Sequence, residues 1–231
     1  FDPAIASKLS ACGINVLEDP EDAFTSALLW KGMDPSVSDA AALDAVKQTF
    51  MEIRPYIRNF HSSQYITDLA NGDICVAMGY SGDVFQARDR AEEAGNGIEI
   101  AFMIPKEGAA RWVDVMAVPT DAPNKANAMK FINYMMKPEV AAGVSNYVWY
   151  ATPNAKAMPL LDPELSGDES VFPKAEVLAK LVDPVSFPQD VQRDADGVWR
   201  IKKLHLVHAY RESLQRFIEC KMISTTPELS Q

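Results

Sequence analysis

The sequence predicts an α/β protein, and three observations carry that prediction. Strand-length apolar runs alternate with stretches of helical periodicity along the chain. The segment His61 to Asp83, HSSQYITDLANGDICVAMGYSGD, holds a helix start, a helix stop, a short apolar strand and a polar-aromatic loop. Hydrophobic residues make up 48% of 231, ample for a real core in one large or two small domains.

The elements follow in order. Asp34 to Asp39 is a turn and cap cluster, after which Leu43, Val46, Phe50 and Ile53 recur at helical spacing. A helix is therefore predicted over 39–53, closed by Pro55. Ser62 or Ser63 is expected to cap the next helix through its hydroxyl, with Ile66 and Leu69 on one face. Asn71-Gly72 supplies a left-handed stop. Residues 74–78 (ICVAM) read as a strand covered on both faces, emptying into the loop Gly79 to Asp83. Val84, Ala87 and Ala91 share a stripe over 83–94, ended by Gly95 and Gly97. Strands are predicted over 98–104 and 113–118, separated by the turn at Pro105 to Gly108. A helix over 124–136 directs Ala128, Phe131, Ile132 and Met135 inward. Pro138 opens another helix that ends near Trp149. Residues 151–172 look like surface connection, and 172–181 like a last short helix.

Composition narrows the function. The net charge of −10 argues against a nucleic-acid backbone as partner. It suits a protein that meets cations, and equally plain solubility. No run of 18 apolar residues exists to span a membrane. Residues 1–192 hold 15 basic and 27 acidic side chains, whereas the remainder holds 7 and 5, so the tail differs in character. In that tail, 198–207 is strand-like and 210–218 has helical character. Three cysteines are too few for a disulfide scaffold, and none forms a CxxC pair. Cys12 and Cys75 could pair and leave Cys220 over; each could equally be a small buried hydrophobe.

No catalytic motif is present: there is no GxSxG, HExxH, phosphate-cradling loop or GxGxxG. His205 and His208 would point to opposite faces of a strand, which is poor metal-binding geometry. Aromatic rings do stand beside carboxylates at Tyr80 with Asp83 and at Trp112 with Asp114, and Trp149-Tyr150 adds two more rings. Rings as walls and carboxylates as ends suit an organic cation. Ring faces attract ammonium groups by roughly 0.5–2 kcal/mol, and a carboxylate adds a charge-assisted hydrogen bond.

Those stretches also carry a resemblance. HSSQYITDLANGDICVAMGYSGDVFQA, IPKEGAARWVDVMAVP and SNYVWYATPNA closely resemble the periplasmic putrescine/spermidine-binding proteins of bacterial polyamine ABC transporters. KLSACG near the start and FPKAEVLAKL near the end belong to the same similarity, which runs from about Phe1 to Arg193. The resemblance implies part of a type II periplasmic binding protein fold with two lobes. Residues 1–92 would belong to the second lobe, 93–165 to the returning part of the first, and 166–193 to the second again. A signal peptide and most of the first lobe would precede Phe1. Residues 194–231 match nothing in the family, and DGVWRIKKLHL weakly resembles a strand of SnoaL-like barrels.

Carried over by position, Asp83 and Asp114 would hold an ammonium group. Tyr80, where many members have tryptophan, and Trp112, where phenylalanine is frequent, would be ring walls. Tyr150 and Ser62 would be polar contacts. Asp22 stands where many members carry glutamate, a carboxylate one methylene longer. In the family the cysteines matching Cys12 and Cys75 can form a disulfide. The implied function is extracytoplasmic capture of putrescine or spermidine and delivery to the membrane permease of an ABC importer. It involves no enzyme activity, cofactor, metal or nucleic acid, and the protein would be a periplasmic monomer. The alternatives are a periplasmic polyamine sensor, or a fusion whose tail belongs to a SnoaL-like barrel.

Overall fold

The computed structural model describes residues 1–36, 40–183, 191–193 and 199–201. Its helices in chain order are α1 (Pro3–Leu9), α2 (Pro20–Trp30), α3 (Ala40–Ile53), α4 (Tyr65–Asn71), α5 (Ser81–Ala94), α6 (Lys125–Met135), α7 (Pro138–Val148), α8 (Pro163–Gly167) and α9 (Ala175–Leu178). Its strands are β1 (Ile14–Val16), β2 (Asn59–Phe60), β3 (Val76–Ala77), β4 (Ala109–Ala110), β5 (Leu181–Val182), β6 (Val191–Arg193) and β7 (Trp199–Ile201). Packing divides the chain into one unit of 1–62 with 183–231 and another of 63–182. Among the described residues, no helix is long and apolar enough to cross a membrane.

In the first unit β1 and β2 run parallel, with Asn15 opposite Asn59 and Val16 opposite Phe60. The residues between them form α2 and α3, the helical crossover that a parallel pair requires. Asp19 caps α2 by accepting the N–H groups of Glu21 (2.8 Å) and Asp22 (3.3 Å), with Pro20 at the first helical position. The stripe predicted for α3 is buried at Val46, Phe50 and Ile53. Phe50 stacks on Phe24 at 5.9 Å and meets Phe1 edge-on at 5.6 Å, so one aromatic cluster ties α2, α3 and the chain start together. β6 and β7 pair antiparallel. The tail expectations at 202–231, which include the helical stretch, His205, His208 and Cys220, lie outside the described residues.

The second unit opens on α4, which stops as predicted at Gly72 in the left-handed conformation (φ 75°). The cap differs from expectation. Gln64 stands at the N-cap without a capping bond from its side chain, whose amide donates to Asp68 Oδ1 at 3.1 Å. Ser62 Oγ instead accepts the Glu18 N–H at 3.2 Å in the first unit, so a long-range partner takes the hydroxyl from the local one. In α5, Val84, Ala87 and Ala91 are buried as the periodicity predicts.

The strands expected over 98–104 and 113–118 do not form. The short β4 lies between them and pairs parallel with β5, Ala109 opposite Leu181 and Ala110 opposite Val182. A strand is defined by its partner, and neither apolar stretch has one among the described residues. In α6, Ala128, Ile132 and Met135 are half-buried, but Phe131 is exposed, against expectation.

Residues 151–172 prove to be more than surface connection. Ala157, Leu161, Leu165 and Val171 are buried with Phe85 and Ala142 in one cluster. The first three fall four residues apart, so a 3₁₀ turn (Met158–Leu160) and α8 deliver a helical stripe despite the prolines and aspartates. Phe85, 4% exposed, is the largest side chain of the cluster. Phe85→Ala is expected to cost about 3–5 kcal/mol of stability, measurable by chemical denaturation of the chain.

Candidate functional site

The first turn of α5 carries the most elaborate polar arrangement of the second unit. The apolar run ends at Gly79, and Tyr80 takes the N-cap position with an extended backbone. Asp83 therefore projects from the first helical turn, where the helix dipole favours a negative charge. Its carboxylate is gripped by two phenols. Tyr65 Oη donates to Oδ2 at 2.8 Å, and Tyr150 Oη donates to Oδ1 at 3.0 Å. The Tyr65 oxygen also accepts the Tyr80 N–H at 3.0 Å. One fully buried ring thus fixes both the start of the helix and the carboxylate.

Two glycines make room for these rings. A Cβ on Gly79 would lie 2.5 Å from the Tyr65 ring, and one on Gly82 would run into the Tyr150 ring and the Val148 carbonyl. Neither glycine is required by a positive φ; each is required by close approach.

Tyr150 is delivered by an unusual turn. α7 ends at Val148, and Trp149 caps it in the left-handed region (φ 58°). This conformation costs a non-glycine residue about 1–2 kcal/mol. Packing holds it there: the indole lies 5.5 Å from the Phe85 ring and carries the Arg88 guanidinium 4.5 Å from its centroid. The turn sends Tyr150 back to α5.

Burial is the first cause pushing the hydroxyls of Tyr65 and Tyr150 well above the ordinary phenol range, and the neighbouring Asp83 charge adds to it in both. For Tyr150, Asp114 contributes more weakly in the same direction. Both phenols thus stay protonated donors at physiological pH. Each carboxylate oxygen accepts one phenol and has further acceptor capacity for a cation. Asp114 and Trp112 lie on the stretch 111–119, which forms neither helix nor strand, and both are exposed, Trp112 at 45%.

The structure therefore groups Asp83, Tyr150 and the backbone of Tyr80, with Asp114 close enough for its field to reach Tyr150. It adds Tyr65, which sequence reasoning missed. The available signal was an aromatic four residues before Leu69, on the buried stripe of α4.

In the first unit, Asp22 is buried in the first turn of α2, following Asp19 and Glu21. Burial first, then the charges of Asp19 and Asp22, raises the Glu21 pKa above 4.5. The folded protein holds this proton more tightly than the unfolded chain, so stability falls as pH rises through 4.5 toward the folded value. Glu21→Gln is expected to raise the melting temperature slightly at neutral pH and to give no gain well below pH 4.5, which a pH series of thermal melts checks.

Among the described residues, no cluster of His, Cys, Asp and Glu has the geometry of a metal site. A shallow hollow of about 380 Å³ near Met158 and Phe172 has no ionisable residue in its lining and shares no lining residue with the Asp83 cluster.

The family described as bacterial extracellular solute-binding protein matches residues 4–173. The chain belongs to that family. Among curated relatives of this solute-binding protein, the putrescine-binding periplasmic protein SpuD of Pseudomonas aeruginosa is 42% identical over 199 residues, covering 86% of this chain and 54% of the relative. The putrescine-binding periplasmic protein PotF of Escherichia coli is 47% identical over 180 residues, covering 78% and 49%. The chain thus spans about half the length of these relatives. Among solved structures, the spermidine/putrescine ABC transporter substrate-binding protein PotD of Streptococcus pneumoniae superposes with a TM-score of 0.70 at 21% identity, covering 90% of this chain and 58% of that one. At that identity the likeness concerns the fold, and it agrees with the partial type II periplasmic binding protein fold expected from the sequence.

Proposed function

We propose that this solute-binding protein captures a polyamine, putrescine or spermidine, with an ammonium group seated on Asp83. The observation that carries this reading is the carboxylate held by two protonated tyrosines at the start of α5. Neutral phenols orient the carboxylate without cancelling its charge, so it stays available to a cation. A charge-assisted hydrogen bond then anchors one end of the ligand. The rings of Tyr80 and Trp112 cover methylenes, and Asp114 adds a second negative charge. Tyr150 contributes both a ring and its hydroxyl. Asp22 and Ser62 of the first unit keep the polar roles that sequence resemblance gives them. The names of the relatives support the same ligand class.

On this reading the protein works outside the cytoplasm, as a monomer without catalysis or cofactor, and passes its cargo to the membrane permease of an ABC importer. The lobe assignment of 1–92, 93–165 and 166–193, and a disulfide between Cys12 and Cys75, belong to the same proposal.

Asp114 is exposed, so Asp114→Ala is expected to weaken putrescine and spermidine by about 0.2–1 kcal/mol, the usual worth of a solvent-screened ion pair. Calorimetric titration checks it, and unchanged affinity for both ligands would remove Asp114 from the site.

A further inference from the structure

Among the described residues, Trp149 is the only non-glycine with a positive φ. Glycine is the ordinary choice where a helix closes in the left-handed conformation, because a Cβ is strained there. Such strain persists only where the surroundings over-determine it, and it collects at functional sites. The next residue is Tyr150, whose hydroxyl donates to Asp83 Oδ1 at 3.0 Å. The strained turn therefore adjoins the candidate site.

Two side chains of α5 hold the indole in place. The Phe85 ring lies 5.5 Å from it, tilted by 42°. The Arg88 guanidinium lies 4.5 Å from the Trp149 centroid and 5.0 Å from that of Phe85, so one cation serves both rings. Its Nε donates to Asp89 Oδ1 at 3.2 Å, which tethers the guanidinium to its own helix. The Trp149 N–H donates to the Ser145 carbonyl at 2.9 Å, which anchors the backbone of the turn to α7. Asp83, Phe85 and Arg88 all belong to α5. The helix that carries the carboxylate thus also carries the groups that hold the turn bearing its phenol.

Neither ligand contact nor solubility accounts for Arg88. A cation five residues after Asp83 repels an ammonium ligand. A solubilising arginine extends into water, whereas this side chain is only 30% exposed. Gly82 does not replace the clamp either: its missing Cβ leaves room for the Tyr150 ring but exerts no pull on it. We propose that Arg88 is a positioning residue of the Asp83 site. By stacking on Trp149 it holds the left-handed turn that keeps the Tyr150 hydroxyl on the carboxylate. The effect on ligand affinity rests on the polyamine reading; the contact between Tyr150 and Asp83 is tested without ligand.

The test is NMR of the full 231-residue chain labelled with carbon-13 at tyrosine Cζ, whose shift reports the hydrogen bonding of the phenol. Tyr150→Phe identifies the signal by its loss, and Asp83→Ala gives its position without the acceptor. Arg88→Met keeps the length of the side chain but not its charge or plane, and should move the Tyr150 signal toward the Asp83→Ala position. Arg88→Lys keeps the charge without the planar face and should move it less. Trp149→Gly should move it furthest, although glycine relieves the backbone. Calorimetry should show putrescine weakened at least about threefold in Arg88→Met and less in Arg88→Lys. A Tyr150 signal at the parental position in both Arg88→Met and Trp149→Gly overturns the proposal, whatever the melting temperatures do. So does a parent that binds putrescine and an Arg88→Met variant that binds it equally well. A parent that fails to bind putrescine, with the signal moving as expected, counts against the polyamine reading and leaves the positioning of Tyr150 by Arg88 supported.

Discussion

Asp83→Ala is expected to reduce putrescine and spermidine binding by about 2–5 kcal/mol, or roughly 30-fold to several thousand-fold. The substitution removes the carboxylate that two tyrosines orient. It also strands the Tyr65 hydroxyl, which is fully buried, without its acceptor. A buried donor left unpaired costs about 1–3 kcal/mol of folding stability, so the alanine variant conflates two losses. Asp83→Asn separates them. Its amide oxygen still accepts one phenol, whereas the charge is gone. The asparagine variant should therefore melt close to the parent and bind polyamine as poorly as the alanine variant. Calorimetry paired with thermal denaturation distinguishes these outcomes. An asparagine variant that binds like the parent would mean that the charge of Asp83 is irrelevant to the ligand.

The second large effect is steric. Gly82→Ala places a methyl group against both the Tyr150 ring and the Val148 carbonyl. The ring can swing aside; the carbonyl belongs to the last turn of α7 and cannot move without disturbing Trp149. Overpacking of this kind costs about 1–3 kcal/mol. It also pulls the Tyr150 hydroxyl away from Asp83, so binding should fall together with stability. Gly95→Ala is a useful contrast. A Cβ there meets nothing within 4 Å, although its φ of 59° strains any side chain. That variant should lose some stability and keep its ligand affinity. Equal affinity in the Gly82→Ala variant and the parent would show that the Tyr150 to Asp83 contact does not matter for binding.

Helices were the legible part of this sequence because their information is local. The 3.6-residue stripe of Val46, Phe50 and Ile53 is internal to α3, and Gly72 stops α4 by its own conformational freedom. Strands were less legible for the opposite reason. Residues 98–104 and 113–118 carry strand-like apolar character, but pairing needs a second segment, which the described residues do not contain. The same dependence on distant partners explains the other departures. Ser62 lost its expected capping role to Glu18, 44 residues away. The stripe Ala157, Leu161 and Leu165 was hidden among prolines and aspartates that read as a loop. Of the candidate site, Asp83 and Tyr150 were nameable from motif resemblance, and the structure joins them directly. Tyr65 was not, because nothing in HSSQYITDLAN reveals that its hydroxyl meets a carboxylate 18 residues on.

The most direct test of the central claim is a residue-resolved NMR titration of the chain with putrescine, run beside the matched uncharged diol and sodium chloride at equal ionic strength. This readout detects weak binding and reports its place. Putrescine should shift the amides of Tyr80, Asp83 and Tyr150 in a saturable manner, the diol and the salt should not, and Asp83→Asn should abolish the response. Shifts at those amides that are equal for diol and diamine, or that persist undiminished in Asp83→Asn, would contradict a polyamine site built on Asp83.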